Sequence, residues 1–345
     1  MNQIVFADNL AFLTTLPEGS VNLVYIDPPF NTGKTRRYRR LETRRSGKAG
    51  NRIGFLGKSY ATTERSVTTY SDIHSDYLGS LEPRLREAHR VLAEDGSLFF
   101  HIDYREAHYC KILLDEIFGR ESFMNEIIWA YDYGARSRKR WSPKHDTIFW
   151  YAKSPVRYTF NFEEMDRIPY MAPGLVTPEK RKRGKTPTDV WWHTIVPTNG
   201  KERTGYATQK PLGILKRIVK VHSRPEETVL DFYAGSGTTG EAAARLGRRF
   251  ILVDNNPQAI EVMCHRLRFA SPVLVNLHNR PVGKEKGNLP LFREWNQSLP
   301  PFPPPNAANS ASPPKTASTR KKRKSPSVTR RKESENREVR EERDA

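Results

Sequence analysis

Residues 21–30 read Val-Asn-Leu-Val-Tyr-Ile-Asp27-Pro28-Pro29-Phe30, and no other stretch constrains the chain as tightly. Val21 to Ile26 is a short apolar run rich in β-branched and aromatic residues, the pattern of a strand buried on both faces of a parallel sheet. Two consecutive prolines have no N–H to give to a ladder, so the chain leaves the sheet at Asp27. That exit is the carboxyl end of the strand, the edge where open α/β sheets bind ligands. The prolines hold bare carbonyls at fixed angles, and Phe30 adds a flat apolar surface. A carboxylate, a fixed carbonyl and a ring suit a planar group bearing an exocyclic amine. The same four residues also suit a plain strand-to-loop turn, so the rest of the chain must decide.

The 345 residues are enough for one large domain or two ordinary ones. They are 37% hydrophobic and 28% charged, which allows a core but predicts a non-globular part. No apolar run approaches the ~18 residues of a membrane span, and no charged-then-apolar leader opens the sequence. Cys110 and Cys264 have neither metal-site nor redox spacing, so no metal site is expected and a reducing cytoplasm is the simple reading. The formal charge of +19 is concentrated in two places. Residues 34–65 hold eleven Lys and Arg against Glu42 and Glu64, and residues 315–345 hold twelve against six acids. Such clustering suits a polyanion.

Taken in order, residues 1–33 give a strand from Gln3 to Phe6, a helix opening at Asp8-Asn9, and the Asp27 strand. Residues 34–65 lack apolar periodicity and read as a mobile Arg-rich insertion. Residues 66–154 resume the strand–helix rhythm. Their helix over 75–93 is expected to end at Glu94-Asp95-Gly96, followed by a strand from Ser97 to Asp103 that carries His101. A helix from Glu106 to Phe118 and two further strands follow, joined by a basic loop with Arg136, Arg138, Lys139, Arg140 and Trp141. His101 reads as a satisfied strand-end histidine rather than a base, since nothing near it in sequence forms a nucleophile pair. Residues 155–204 are Pro-, Gly- and Lys/Arg-rich yet carry Tyr158, Phe160, Phe162, Tyr170, Trp191 and Trp192, a small irregular module. Most of those rings are expected in an ordinary core, the rest in recognition. Residues 205–282 return to α/β, and 283–345 read as a disordered basic Pro-rich tail.

Within 205–282, the strand Val229 to Tyr233 runs into Ala234-Gly235-Ser236-Gly237-Thr238-Thr239-Gly240, then a helix, then a strand ending at Asp254. This β–loop–α–β order passes the context test for a nucleotide-type cofactor, with Asp254 placed to accept ribose hydroxyls. The pattern alone fits NAD as well as S-adenosylmethionine, so a nicotinamide oxidoreductase stays in play. Such an enzyme has no need of the Asp27 corner or the arginine-rich insertion.

Asp27-Pro28-Pro29-Phe30, Thr208-Gln209-Lys210-Pro211 and Phe232-Tyr233-Ala234-Gly235-Ser236-Gly237, in this order, resemble the β-class amino-DNA methyltransferases. The resemblance covers roughly 1–33, 66–152 and 205–270. It implies a Rossmann-like α/β fold, a seven-stranded, mostly parallel sheet with helices on both faces, a permuted motif order and a target-recognition region at 155–204. It implies transfer of methyl from S-adenosylmethionine to an exocyclic amine of duplex DNA, with the base flipped out. Asp27 and the Pro28 carbonyl would accept the amine, Pro29 would fix the corner, and Phe30 would stack on the base. Asp8, Asn9, Asp27, Thr208, Gln209, Lys210, Asp231, Phe232, Ala234, Gly235, Ser236, Gly237, Thr238, Asp254 and Asn255 would line the cofactor site. Lys34, Arg36, Arg37, Arg39, Arg40, Arg44, Arg45, Arg136, Arg138, Lys139 and Arg140 would meet DNA. In this family Asp at the first motif position goes with adenine N6 and Ser with cytosine N4, so Asp27 favours adenine. Phe30 stands where Tyr is commoner, and cytosine-N4 is the alternative. Methylation of structured RNA is a remoter one. No nuclease signature is visible, so any restriction endonuclease partner would be a separate polypeptide, and both monomer and homodimer stay open.

Overall fold

The computed structural model describes residues 1–31, 34–45, 52–53, 59–72, 76–132, 136–197 and 200–277, with the backbone alone given for 34–45, 52–53 and 59–72. All belong to one compact unit, Met1–Gln297; a second unit, Ser298–Ala345, lies outside the described residues, as does the basic tail read over 283–345.

In chain order the elements are β1 (Gln3–Phe6), α1 (Asn9–Leu13), β2 (Val21–Ile26), β3 (Lys34–Arg45), β4 (Arg52–Ile53) and β5 (Ser59–Asp72). Then come α2 (Tyr77–Val91), β6 (Leu92–Ile102), α3 (Ala107–Phe118), β7 (Phe123–Ala130), β8 (His145–Ala152), α4 (Pro178–Arg183) and β9 (Val190–Trp192). The last are α5 (Leu212–His222), β10 (Thr228–Asp231), α6 (Thr238–Arg245), β11 (Arg249–Asp254), α7 (Pro257–Leu267) and β12 (Val273–Asn276).

Nine strands form one sheet in the order β12-β1-β11-β10-β2-β6-β8-β7-β9. The expected seven are the body from β1 to β7, and β12 and β9 extend its two edges. Pairing is parallel throughout except at β8, which runs against both β6 and β7. The period-2 alternation of buried strands divides the core. Val24, Ile26, Leu98 and Phe100 pack with Phe12 of α1, Leu81 and Leu85 of α2, and Leu114 of α3. Leu23, Tyr25 and Phe99 pack on the opposite face with Ile214 and Ile218 of α5, Ala242 of α6 and Met263 of α7. A strand carrying apolar residues at consecutive positions thus holds a helix layer on each side.

Three local expectations change. Residues 34–45, 52–53 and 59–65 are not an irregular loop: β3 and β5 pair antiparallel from Lys34↔Asp72 to Arg45↔Tyr60, and β4 adds to β5. The hairpin therefore runs to Asp72, past the boundary drawn at 65. Its second strand, Ser59–Asp72, is rich in Thr, Tyr and Val, which fit a pleated surface, and the basic residues had masked that signal. Secondly, α2 stops at Val91, and Glu94-Asp95-Gly96 falls inside β6. Thirdly, residues 155–204 are joined to the main sheet, because β9 pairs with β7 from Ile128↔Val190 to Ala130↔Trp192. Of the rings there, Trp191 is buried, Tyr158 packs against Trp150, and Trp192 is exposed. Among the described residues no helix is long and apolar enough to cross a membrane, and no cluster of His, Cys, Asp or Glu could hold a metal ion. Cys110 and Cys264 are buried free thiols, both raised by burial.

Candidate active site

The register of β2 and β10 brings the two motifs together. Val24 pairs with Leu230, so Asp27 and Tyr233 leave adjacent strands at the same level. Both exits lie on the carboxyl edge of the sheet. Asp254 ends β11 at the same edge, beside Phe6 of β1, and Asp8 and Asn9 follow β1 there.

Asp27 is largely buried and holds two different neighbours. Its Oδ2 accepts from Lys210 Nζ at 2.6 Å. Its Oδ1 is buried, has no hydrogen-bond partner and faces His101 Nδ1 at 4.0 Å. Pro28 is buried, and the Tyr77 hydroxyl of α2 donates to the Pro29 carbonyl at 2.6 Å, pinning the corner to the helix layer. The Phe30 ring lies 4.7 Å from Lys210 Nζ and 5.9 Å from the His101 ring. His101 is fully buried: Nδ1 shares a hydrogen bond with Tyr25 at 2.7 Å, and Nε2 meets Asp146 Oδ2 at 3.3 Å. Tyr131 donates to the other Asp146 oxygen at 3.1 Å. Burial pushes the Asp146 carboxyl up, but the bond to His101, its charge and that of Lys210 outweigh this and hold it below the ordinary range. Burial, with the Asp27 charge added, pushes the Tyr25 hydroxyl well above its usual value. The sequence marked His101 as satisfied, and it is; it did not show that His101 stands directly behind Asp27.

The glycine loop is built from beneath. Asp231 is buried, accepting from Tyr233 N–H at 3.0 Å and Thr239 Oγ1 at 2.6 Å. It ties the strand to the loop and the helix start, so it shapes the glycine loop from behind. Burial raises its carboxyl to about 7, against the pull of those two hydrogen bonds. Asp254 accepts from Gly235 N–H at 2.9 Å and Asn256 N–H at 2.8 Å, and burial raises it too. Gly235 has φ 49°, and a Cβ there would stand 3.2 Å from the Tyr206 ring. Gly237 is left-handed too, with φ 72°, and a Cβ there would come 2.8 Å from Met263; Gly240 serves packing alone, since a Cβ would come 2.5 Å from Leu252. Arg266 braces the loop from α7, donating to the Ser236 carbonyl at 3.2 Å and to Thr238 Oγ1 at 2.8 Å. Phe232 and Ala234 are buried, and Asn255 is exposed.

The other expected residues separate into two groups. Asn9 donates to the Phe232 carbonyl at 2.9 Å and accepts from Arg84, which also reaches Asp8 at 3.3 Å, so both stand at the loop. Thr208 is exposed. Gln209 is committed to Thr204 and to the Glu202 carbonyl, and Lys210 sends its carbonyl to Thr238 but its ammonium to Asp27. Arg84, Tyr77, Tyr206 and Arg266 carried no signal in the sequence, being single helix or loop positions outside any motif. Arg136, Arg138, Lys139 and Arg140 lie in the exposed β7–β8 turn at the same edge, where Ser137 Oγ accepts from two backbone N–H groups and Trp141 is 97% exposed. Lys34, Arg36, Arg37, Arg39, Arg40, Arg44 and Arg45 lie on β3.

An acceptor, a ring and a left-handed glycine loop at one sheet edge are the parts of a group-transfer site. A family model described as DNA methylase, of the N6/N4 methyltransferases, matches residues 21–264. The type II methyltransferase M.HpaI of Haemophilus parainfluenzae is 28% identical over 265 residues, 77% of this chain and 74% of its own length. The DNA adenine methyltransferase YhdJ of Escherichia coli K12 is 28% identical over 294 residues, 83% and 89%. Among solved structures, the cytosine-N4-specific PvuII DNA methyltransferase has TM-score 0.52 at 16% identity, covering 81% of this chain and 96% of its own. A DNA modification methylase of Thermus thermophilus in complex with S-adenosylmethionine has TM-score 0.51 at 19% identity, covering 81% and 100%. The family match spans both motifs and the strands that hold them, and the chain belongs to the N6/N4 DNA methylase family.

Proposed function

We propose that the chain transfers a methyl group from S-adenosylmethionine to the N6 amine of adenine in duplex DNA, with the target base flipped out of the stack. One observation carries the reading: an acceptor corner, Asp27 to Phe30, and a glycine loop with a left-handed residue at its first glycine leave adjacent strands at one level. The residues fit the cofactor. The Gly235 backbone is open where a side chain would meet Tyr206, and Asp254 keeps acceptor capacity beyond its two backbone donors. Phe232, Ala234, Gly235, Ser236, Gly237, Thr238, Asp254 and Asn255 would hold the nucleoside, with Asp8 and Asn9 beside it. Thr208 and the Lys210 carbonyl would lie at its methionine end, with Asp231 and Gln209 fixing the walls.

When bound, S-adenosylmethionine supplies an electrophilic methyl on sulfur. Asp27 and the Pro28 carbonyl accept from the amine and aim its lone pair, and the proton the amine loses passes to Asp27. Phe30 stacks on the base and excludes water. Catalysis then rests on positioning and electrostatics, with no covalent enzyme intermediate. Duplex DNA as the substrate is supported by the basic β7–β8 turn at the reacting edge and by the basic strand β3, which follows the Asp27 corner in the chain. Adenine is supported by Asp27 at the first motif position and by the E. coli relative.

The test is transfer of labelled methyl to unmodified genomic DNA by wild type and Asp27→Ala, read as nucleosides by mass spectrometry. N6-methyladenine from wild type, reduced on the order of 10²-fold or more in the variant, is the expected result. N4-methylcytosine would overturn the base assignment and keep the mechanism. No incorporation would overturn the reading.

A further inference from the structure

We infer that the Lys210 ammonium is a stand-in for the target amine, an internal ligand that holds the acceptor corner closed until an amine-bearing base displaces it. The inference rests on the reading above only for the identity of the incoming group. Asp27 presents two oxygens, and one is unusable: Oδ1 is sealed inside, 4.0 Å from His101 Nδ1, with no partner. An amine entering this corner must therefore take Oδ2 as its partner, and Oδ2 is where Lys210 sits at 2.6 Å. The same Nζ lies 4.7 Å from the Phe30 centroid, a cation held against the ring meant for the base. One nitrogen thus makes two of the contacts proposed for the substrate, the one to Asp27 and the one to Phe30. Lys210 also has the means to leave. Its backbone is anchored, since its carbonyl accepts from Thr238 at 3.1 Å and its neighbour Gln209 is tied to Thr204. Its four-carbon stem is flexible, so the ammonium can swing away without moving the chain. Because only a hydrogen-bond donor can replace an ammonium at a carboxylate, the exchange favours bases with an exocyclic amine.

The consequence has a definite sign. Removing an internal competitor tightens binding of the true ligand, whereas removing a phosphate contact, a cofactor contact or a static prop weakens it. Binding is measured with S-adenosylhomocysteine present, on two duplexes carrying the site mapped in genomic DNA. One has adenine at the target, the other purine, which lacks the amine. Should the methylated base be cytosine, cytosine and 2-pyrimidinone take their places. Lys210→Met is expected to bind the amine duplex about tenfold tighter than wild type, while the amine-free duplex does not tighten, so their ratio rises about tenfold. Lys210→Arg keeps a cation and is expected to stay near the wild-type ratio. If Lys210→Met lacks a thermal transition or cofactor binding, Lys210→Ala carries the same expectation. An unchanged or weakened affinity for the amine duplex, or an equal shift on both duplexes, overturns the inference while wild-type methylation of DNA leaves the function intact. Wild type that methylates no DNA removes the function reading and this inference with it.

Discussion

Asp231 makes the stability of the fold depend on pH in a direction opposite to the usual carboxylate. Burial, with the charges of Asp27 and Asp254 added, raises it from 3.8 to about 7 despite bonds from Thr239 and Tyr233. The folded state therefore keeps a proton that the unfolded chain gives up at 3.8, so its contribution is present below that value and is lost as pH rises through about 7. Asp231→Asn removes the titration and adds a constant offset for the weakened Thr239 bond. In urea unfolding, wild type should lose stability relative to Asp231→Asn by up to about 4 kcal/mol between pH 4 and pH 8. Parallel pH profiles would contradict the assignment. His222 acts the other way. It is buried among Phe99, Trp150 and Phe160, its Nδ1 has no partner, and burial lowers it from 6.5 to about 3. The unfolded chain takes up a proton near 6.5 that the folded state refuses, so stability falls as pH drops from 6.5 towards 3. His222→Gln should flatten that acid limb, seen as a lower pH midpoint of acid unfolding by circular dichroism. Asp27, Phe30 and Gly235 were readable because each sits in a motif. The states of Asp231 and His222 were not, because burial is set by packing between distant segments.

The antiparallel hairpin of β3 and β5 is the element whose role is most separable from the fold. It pairs within its own three-stranded sheet and contributes no strand to the main one. Its ends are already held close, because Tyr77 at the head of α2 donates to the Pro29 carbonyl. Replacing residues 32–75 by a short Gly/Ser linker should leave the melting temperature within a few degrees and cofactor affinity unchanged. It should weaken DNA binding and lower the log–log salt slope by about 0.9 for each phosphate contact removed. An unchanged slope would show that the arginines of β3 do not meet DNA. Charge at eight of the twelve positions of Lys34–Arg45 hides any period-2 alternation there, although the Thr, Val and Tyr of Ser59–Asp72 are visible strand formers. The glycine loop shows the reverse case. Its position was legible, yet the last of its three glycines, Gly240, answers to Leu252 rather than to a left-handed backbone. Gly240→Ala should therefore lower stability by about 1–3 kcal/mol through overpacking, with the cofactor Kd of the folded fraction little changed. Thermal melting and calorimetric titration on the same sample separate the two.

At the scale of the molecule, the order of the motifs along the chain does not matter, because a parallel sheet brings every strand's carboxyl end to one edge. Asp27 comes early and Gly235 late, and the β2–β10 register still sets them side by side. This is why the fold class, and the meeting of the two motifs at one edge, were legible from short apolar runs that each end in a carboxylate or a turn. The antiparallel β8, the short β9 and the edge β12 were less so. Their places depend on pairings such as Ala130↔His145 and Gln3↔Val273, which no local pattern specifies. The edge strand also defines where the sheet ends: β12 pairs along β1, and Leu277 N–H donates to the Phe6 carbonyl at 3.0 Å. A chain stopped after residue 277 keeps every strand of the sheet and both motifs. It loses the segment 315–345, with twelve Lys and Arg against six acids out of a whole-chain charge of +19. Long-range attraction to a polyanion is a property of summed charge, whereas the chemical step we propose depends on the corner at Asp27. The shortened chain should thus keep single-turnover methyl transfer at saturating DNA and the wild-type melting temperature. Its affinity for non-specific DNA should fall, its salt slope should flatten, and its association rate should drop most at low ionic strength. A loss of the saturated transfer rate would show instead that the segment acts at the site itself.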